Sequence, residues 1–213
     1  MITIFSQRLQ KKICSTLANI ERTKSYKSYY YFGYGANIDP DFFKRRVGRF
    51  EVVGIAHLEG YKFHFNTPCE YLGKGFGGIE VDRNSSLYGT LYKIDERALN
   101  LLDVLEWVPF KFYSRKTLMV TCSDQKINSE VYIPNYPRKN LKAPKSYQDL
   151  LIRGAEKMNF PVEYIKYIKS LDTGVDFPLD HSFNLSDPGK TRWFPAKTYR
   201  FHDILREKLC NLI

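Results

Sequence analysis

Tyr31-Phe32-Gly33-Tyr34-Gly35-Ala36-Asn37 is an aromatic run that breaks into a loop of small residues, and its reading decides the fold. Residues 29–32 favour a strand, because aromatic rings pack well on a half-buried pleated surface. Asp39-Pro40 then marks a helix start, since Asp can cap the free N–H groups and Pro fits the first helical position. Strand, tight loop and helix start together gather several backbone N–H groups around one small space. Such a concavity suits an anion, for instance a carboxylate. Gly33 and Gly35 would let the backbone approach a ligand or take positive φ. The same spacing also reads as an ordinary strand-to-helix turn.

Outward from this run, residues 50–58 and 61–65 read as strands separated by Glu59-Gly60, and 87–94 as another. Gly73, Gly75, Gly77 and Gly78 read as a loop, either a flexible hairpin or the rim of a site. They lack the Gly-Lys-Ser/Thr ending of a phosphate loop. Residues 95–105 switch to helical periodicity, with Asp95 as cap and Ala98, Leu99, Leu102 and Leu105 on one face. Strands are expected at 112–121 and 126–133, then helices at 146–158, capped by Ser146, and at 162–171 after Pro161. Strands come first and helices gather late, which predicts an α+β domain with a mostly antiparallel or barrel-like sheet.

Three segments are expected: a basic amphipathic extension at 1–28, a main domain at 29–171, and a C-terminal extension at 172–213 that packs on it. The first carries Phe5, Leu9, Ile13, Leu17 and Ile20 at helical spacing, and 199–212 could form a short closing helix. The 213-residue chain is 43% hydrophobic and 15% aromatic, which fits a globular protein with a substantial core. No apolar run has the length needed to cross a bilayer. Cys14, Cys69, Cys122 and Cys210 show no metal-ligand spacing and read as free thiols or small buried hydrophobes. The net charge of +10 is spread along the chain, with short clusters such as Lys44-Arg45-Arg46, and reads as a solvated basic surface.

Glu106 is the candidate acid/base. It ends the helix in Leu101-Leu102-Asp103-Val104-Leu105-Glu106 and is flanked by Leu105 and Trp107. Apolar neighbours would disfavour its charged form and raise its pKa toward a range useful for proton transfer. A solvated acid at a helix end is the plainer reading of the same spacing.

Several motifs, in order, resemble the γ-glutamylcyclotransferases, which release 5-oxoproline from γ-glutamyl amides. Tyr31 to Asn37 resembles the family's loop with its Tyr-Gly-Ser-Asn core. Leu102-Asp103-Val104-Leu105-Glu106 resembles the Leu-Asp-x-x-Glu segment, and Tyr113-Ser114-Arg115 its Tyr-x-Arg strand. Gly77-Gly78-Ile79 and Tyr88-Gly89-Thr90-Leu91-Tyr92 fit its Gly-Gly-Ile and x-Gly-x-x-Tyr/Trp strands. Pro144-Lys145-Ser146-Tyr147, Gly154-Ala155 and Pro161-Val162-Glu163-Tyr164 match its C-terminal pattern. Ala36 stands where the family usually has serine, and Trp107 where glycine commonly follows the glutamate.

The resemblance implies a small closed β-barrel of mixed or mostly antiparallel strands flanked by helices. It also implies a cofactor-independent cyclotransferase, a lyase of the kind that serves glutathione metabolism. Glu106 would be catalytic, and Tyr31, Phe32, Gly33, Tyr34, Gly35, Ala36, Asn37 and Tyr147 would bind substrate. The expected partner is a small γ-glutamyl compound, with no cofactor, metal, nucleic acid or membrane. A homodimer stays open. A cytoplasmic location is expected, with organellar targeting by 1–28 as an alternative. Further alternatives are a γ-glutamylamine- or glutathione-directed enzyme, against which Asn37 argues mildly in the glutathione case, and a noncatalytic, basic binding module on the same fold.

Overall fold

A computed structural model describes residues 27–69 and 74–174. Nearly all of the segment expected at 1–28 and the helix expected at 199–212 therefore lie outside the described residues.

Five strands close into a barrel: β1 (Ser28–Gly33), β2 (Glu51–Cys69), β3 (Lys74–Asp95), β4 (Tyr113–Cys122) and β5 (Gln125–Pro134). Their order is β1-β3-β2-β4-β5, with β5 returning to β1. That last contact is parallel, through Tyr31 and Glu130, and the other pairings are antiparallel. The barrel is thus mixed, as the family resemblance implied.

Two expectations need correction here. The strands read at 50–58 and 61–65 are one strand that bends at Gly60, where φ is 78° and the register slips between Glu59 and Tyr61. Such a bulge bends a strand without ending it. Gly75, Gly77 and Gly78 are not a loop but belong to β3, paired with β2. Their lack of side chains serves close packing instead of flexibility: a Cβ on Gly77 would stand 2.8 Å from the Phe63 ring.

Helix α1 (Pro40–Val47) begins as expected, with the Asp39 side chain accepting the Asp41 N–H at 2.9 Å. Caps of this kind contribute ~1 kcal/mol. Helix α2 (Glu96–Leu105) begins likewise, with Asp95 accepting the Ala98 N–H at 2.7 Å. Helix α3 (Lys145–Lys157) starts before Ser146, so Ser146 is not its cap. Pro144 occupies the cap position with φ −57°, and the proline ring presets the chain for helical entry. Helix α4 (Val162–Ser170) follows Pro161. A two-residue parallel pair, β6 (Ala143–Pro144) with β7 (Thr173–Gly174), closes the described body.

Strand alternation sorts the aromatic run into two cores. Phe32 points into the barrel with Leu58, Phe63, Leu91, Val120 and Val131, and Leu151, Ala155 and Ile168 of α3 and α4 pack against them. Tyr31 points the other way, into a second core with Phe43, Tyr92, Leu99, Leu102 and Tyr132 beneath α1 and α2. Among the described residues, no helix is long and apolar enough to cross a membrane. Cys122 is a buried free thiol.

Candidate active site

The loop after β1 is held from behind by β3. Residues Ala36–Ile38 form one turn of 3-10 helix, closed by the Ile38 N–H on the Gly35 carbonyl at 2.9 Å. The Tyr92 hydroxyl donates to the Asn37 carbonyl and the Thr90 hydroxyl to the Ile38 carbonyl, both at 2.8 Å. The Tyr88-to-Tyr92 motif is therefore a brace for this turn. Gly33 and Gly35 do not use positive φ, contrary to one expectation; Gly35 has φ −99°. They are needed for closeness, since a Cβ on Gly33 would lie 2.8 Å from the Asn37 carbonyl oxygen.

Glu106 caps the C-terminus of α2, its N–H donating to Leu102 at 2.8 Å. Asp103, one turn earlier, anchors that helix to the barrel. One of its oxygens accepts the Tyr132 hydroxyl at 2.7 Å and the other faces Arg115 at 2.8 Å. Burial pushes the Asp103 carboxyl up, while the Tyr132 hydroxyl and the Arg115 guanidinium pull it back down. The motif thus divides its labour between an Asp that fixes the helix and a Glu that the helix end presents.

Beyond Glu106 the chain turns sharply. Trp107 has φ 55° and Lys111 φ 60°, bracketing a 3-10 turn at Val108–Phe110. Left-handed backbone costs an L-residue about 1–2 kcal/mol and a glycine almost nothing. This gives the tryptophan-for-glycine departure a physical meaning. The Trp107 ring meets Phe112 edge-on, with centroids 6.2 Å apart.

The surroundings of Glu106 differ from the apolar ones expected. Its Oε1 lies 3.1 Å from Nη2 of Arg46, and both side chains are mostly buried. Arg46 comes from α1, one turn beyond the buried Phe42 and Phe43. Its other nitrogen, Nη1, donates to Asn37 Oδ1 at 2.8 Å, and Asn37 Nδ2 donates to the Tyr31 hydroxyl at 2.7 Å. A continuous network therefore runs from Glu106 through Arg46 and Asn37 to Tyr31.

Tyr147 enters from the first turn of α3. Its hydroxyl accepts the Gly77 N–H at 3.2 Å and is also met by the Ala36 N–H of the loop. The Tyr113 hydroxyl donates to the Gly77 carbonyl at 3.0 Å. Tyr34 reaches across to the Tyr132 carbonyl. Burial first, and the Glu106 charge among the further causes, raise the pKa of Tyr31, Tyr34, Tyr113 and Tyr147, with Tyr147 pushed up to about 12. Four neutral hydroxyls and one guanidinium thus feel the same carboxylate.

Of the residues singled out in the sequence, Glu106, Tyr31, Tyr34, Asn37 and Tyr147 converge here, with the backbone of Gly33, Gly35 and Ala36. Phe32 does not; its ring is in the barrel core against Gly89, so only its backbone belongs to the loop. Arg46 was read as part of a solvated basic cluster, and Tyr113 only as a motif residue. The signal for Arg46 was its spacing, four and three residues after Phe42 and Phe43, at the margin of the apolar face of α1. Among the described residues no three metal-ligating side chains lie together.

Residues 86–168 match the AIG2-like family. No curated protein matches the sequence. Among solved structures, an uncharacterized protein from Homo sapiens superposes with TM-score 0.65 at 21% identity, covering 71% of this chain and 91% of its own. A γ-glutamyl cyclotransferase superposes with TM-score 0.66 at 19% identity, covering 85% and 99%. YkqA from Bacillus subtilis gives TM-score 0.61 at 25% identity, with 71% of this chain matched to 58% of YkqA. At such identities the superpositions speak to architecture. The chain is thus AIG2-like in sequence over residues 86–168, and its described body has the γ-glutamylcyclotransferase fold.

Proposed function

We propose that the protein is a γ-glutamylcyclotransferase-like lyase that releases 5-oxoproline and a free amine or amino acid from a γ-glutamyl amide. The observation that carries this reading is the network joining Glu106 to the loop through Arg46 and Asn37, which holds a mostly buried carboxylate beside the loop. In this reading the backbone of residues 31–36 and the Tyr147 hydroxyl hold the α-carboxylate of the substrate. Glu106 takes a proton from the α-ammonium. The freed amine attacks the γ-carbonyl carbon, the new C–N bond closes a five-membered lactam, and the bond to the leaving nitrogen breaks. Glu106 then returns the proton to that nitrogen, and the ring nitrogen gives up its second proton to the departing amine, which leaves as an ammonium.

The nucleophile belongs to the substrate, so the protein supplies orientation and one acid/base. Holding the chain in a ring-closing pose can contribute several kcal/mol, up to ~7–11 in ideal cases. Ala36 offers no hydroxyl to the substrate, while its backbone N–H remains a donor. The test is incubation with γ-glutamyl-amino acids, γ-glutamylamines and glutathione, with mass spectrometry for 5-oxoproline. Wild-type protein should release it and a folded Glu106→Gln variant should not. Undiminished release by that variant would remove Glu106 from the mechanism.

A further inference from the structure

Among the described residues, four buried hydroxyls feel the Glu106 charge: Tyr31 from β1, Tyr34 from the loop, Tyr113 from β4 and Tyr147 from α3. The charge facing it comes from α1, as the Arg46 guanidinium. That guanidinium is itself fixed from two sides, by Asn37 Oδ1 at 2.8 Å and by the Phe42 ring, 5.8 Å from its carbon. Its planar fork can hold one carboxylate oxygen and one amide oxygen at once, which a lysine ammonium on a flexible stem does less well. One oxygen of Glu106 is thereby tied to the same residue that grips the loop.

Resting on the cyclotransferase reading, we propose that Arg46 is the positioning residue of the reaction. It holds the Glu106 carboxylate in register with the loop through Asn37. Its cation also disfavours a substrate ammonium nearby, so the α-nitrogen gives up its proton more readily. Removing Arg46 loses both the aim of the carboxylate and that help to the substrate.

The experiment compares Arg46→Met and Arg46→Lys with wild type, each checked for folding by circular dichroism. With a γ-glutamyl substrate that the wild type turns over, Arg46→Met should lower kcat at least about tenfold with a smaller change in KM. Arg46→Lys, which returns the charge without the planar fork, should restore kcat only in part. In parallel, crystal structures should show the Glu106 carboxylate displaced from the loop in Arg46→Met and nearer its place in Arg46→Lys, a readout that needs no turnover. A carboxylate that keeps its place in Arg46→Met would overturn the inference; so would an unchanged kcat in Arg46→Met, where the wild type is active. Failure of the wild type to release 5-oxoproline would count against the cyclotransferase reading, and the structural arm would still decide whether Arg46 positions Glu106.

Discussion

Replacing Gly77 with alanine should destabilise the protein, and the size can be worked out from two aromatic rings. The added Cβ would lie 2.8 and 3.0 Å from Cε2 and Cζ of Phe63 and 2.9 Å from the Tyr147 hydroxyl. The backbone itself permits alanine, since Gly77 does not have positive φ. Each ring must therefore retreat by roughly half an ångström, and neither moves freely, because Phe63 is 1% and Tyr147 4% exposed. Overpacking of this kind costs ~1–3 kcal/mol, and the stiffer unfolded chain returns about 0.4–1. The net loss should be roughly 1–2 kcal/mol, read as a lower urea midpoint at unchanged slope. Tyr147→Phe alone should cost about 1–3 kcal/mol, because it leaves the buried Gly77 N–H without its acceptor. In the double variant the hydroxyl that clashes is already gone. The two losses should then sum to less than their separate values by at least ~0.5 kcal/mol. Strict additivity, or a Gly77→Ala protein as stable as wild type, would refute the packing argument.

Two further expectations concern stability. Lys111 has φ 60° and an exposed side chain, so Lys111→Gly should remove left-handed strain and stabilise by about 0.5–1 kcal/mol after the entropy cost of glycine; a lowered melting temperature would contradict this. At alkaline pH, Tyr31, Tyr34, Tyr92, Tyr113, Tyr132 and Tyr164 are held protonated by burial above their ordinary value, and Tyr147 is pushed up to about 12. Above pH ~10 the unfolded chain loses protons that the folded one keeps. Stability should therefore be intact below pH 10 and fall above it, by up to ~1.4 kcal/mol per pH unit for each such tyrosine. Urea midpoints from pH 8 to 11 measure this, alongside tyrosinate absorbance at 295 nm. Ionisation of these hydroxyls near pH 10 in protein that stays folded would show that burial does not hold them.

Local signals carried much of the architecture. Asp39-Pro40 and Asp95 began their helices where expected, because a cap acts on N–H groups two or three residues away and needs no distant partner. The strand through Tyr31 and Phe32 was likewise legible in its aromatic residues, though not that the two rings enter different cores. The ordered motifs from Tyr31 to Tyr164 announced a closed barrel, which periodicity alone left at α+β.

What sequence could not decide was which distant groups meet. Gly75, Gly77 and Gly78 looked like a loop because glycine signals flexibility locally, whereas Phe65 and Leu141 at Gly75, and Phe63, Tyr147 and Asn66 at Gly77 and Gly78, leave little room for a side chain there in β3. Glu106 looked apolar in its setting because its chain neighbours are Leu105 and Trp107. Its nearest charge sits 60 positions earlier, on another helix. Periodicity and capping are short-range and survive in a bare sequence, but the field at a carboxylate is a sum over space, and only the closed barrel with α1 laid beside α2 sets that sum.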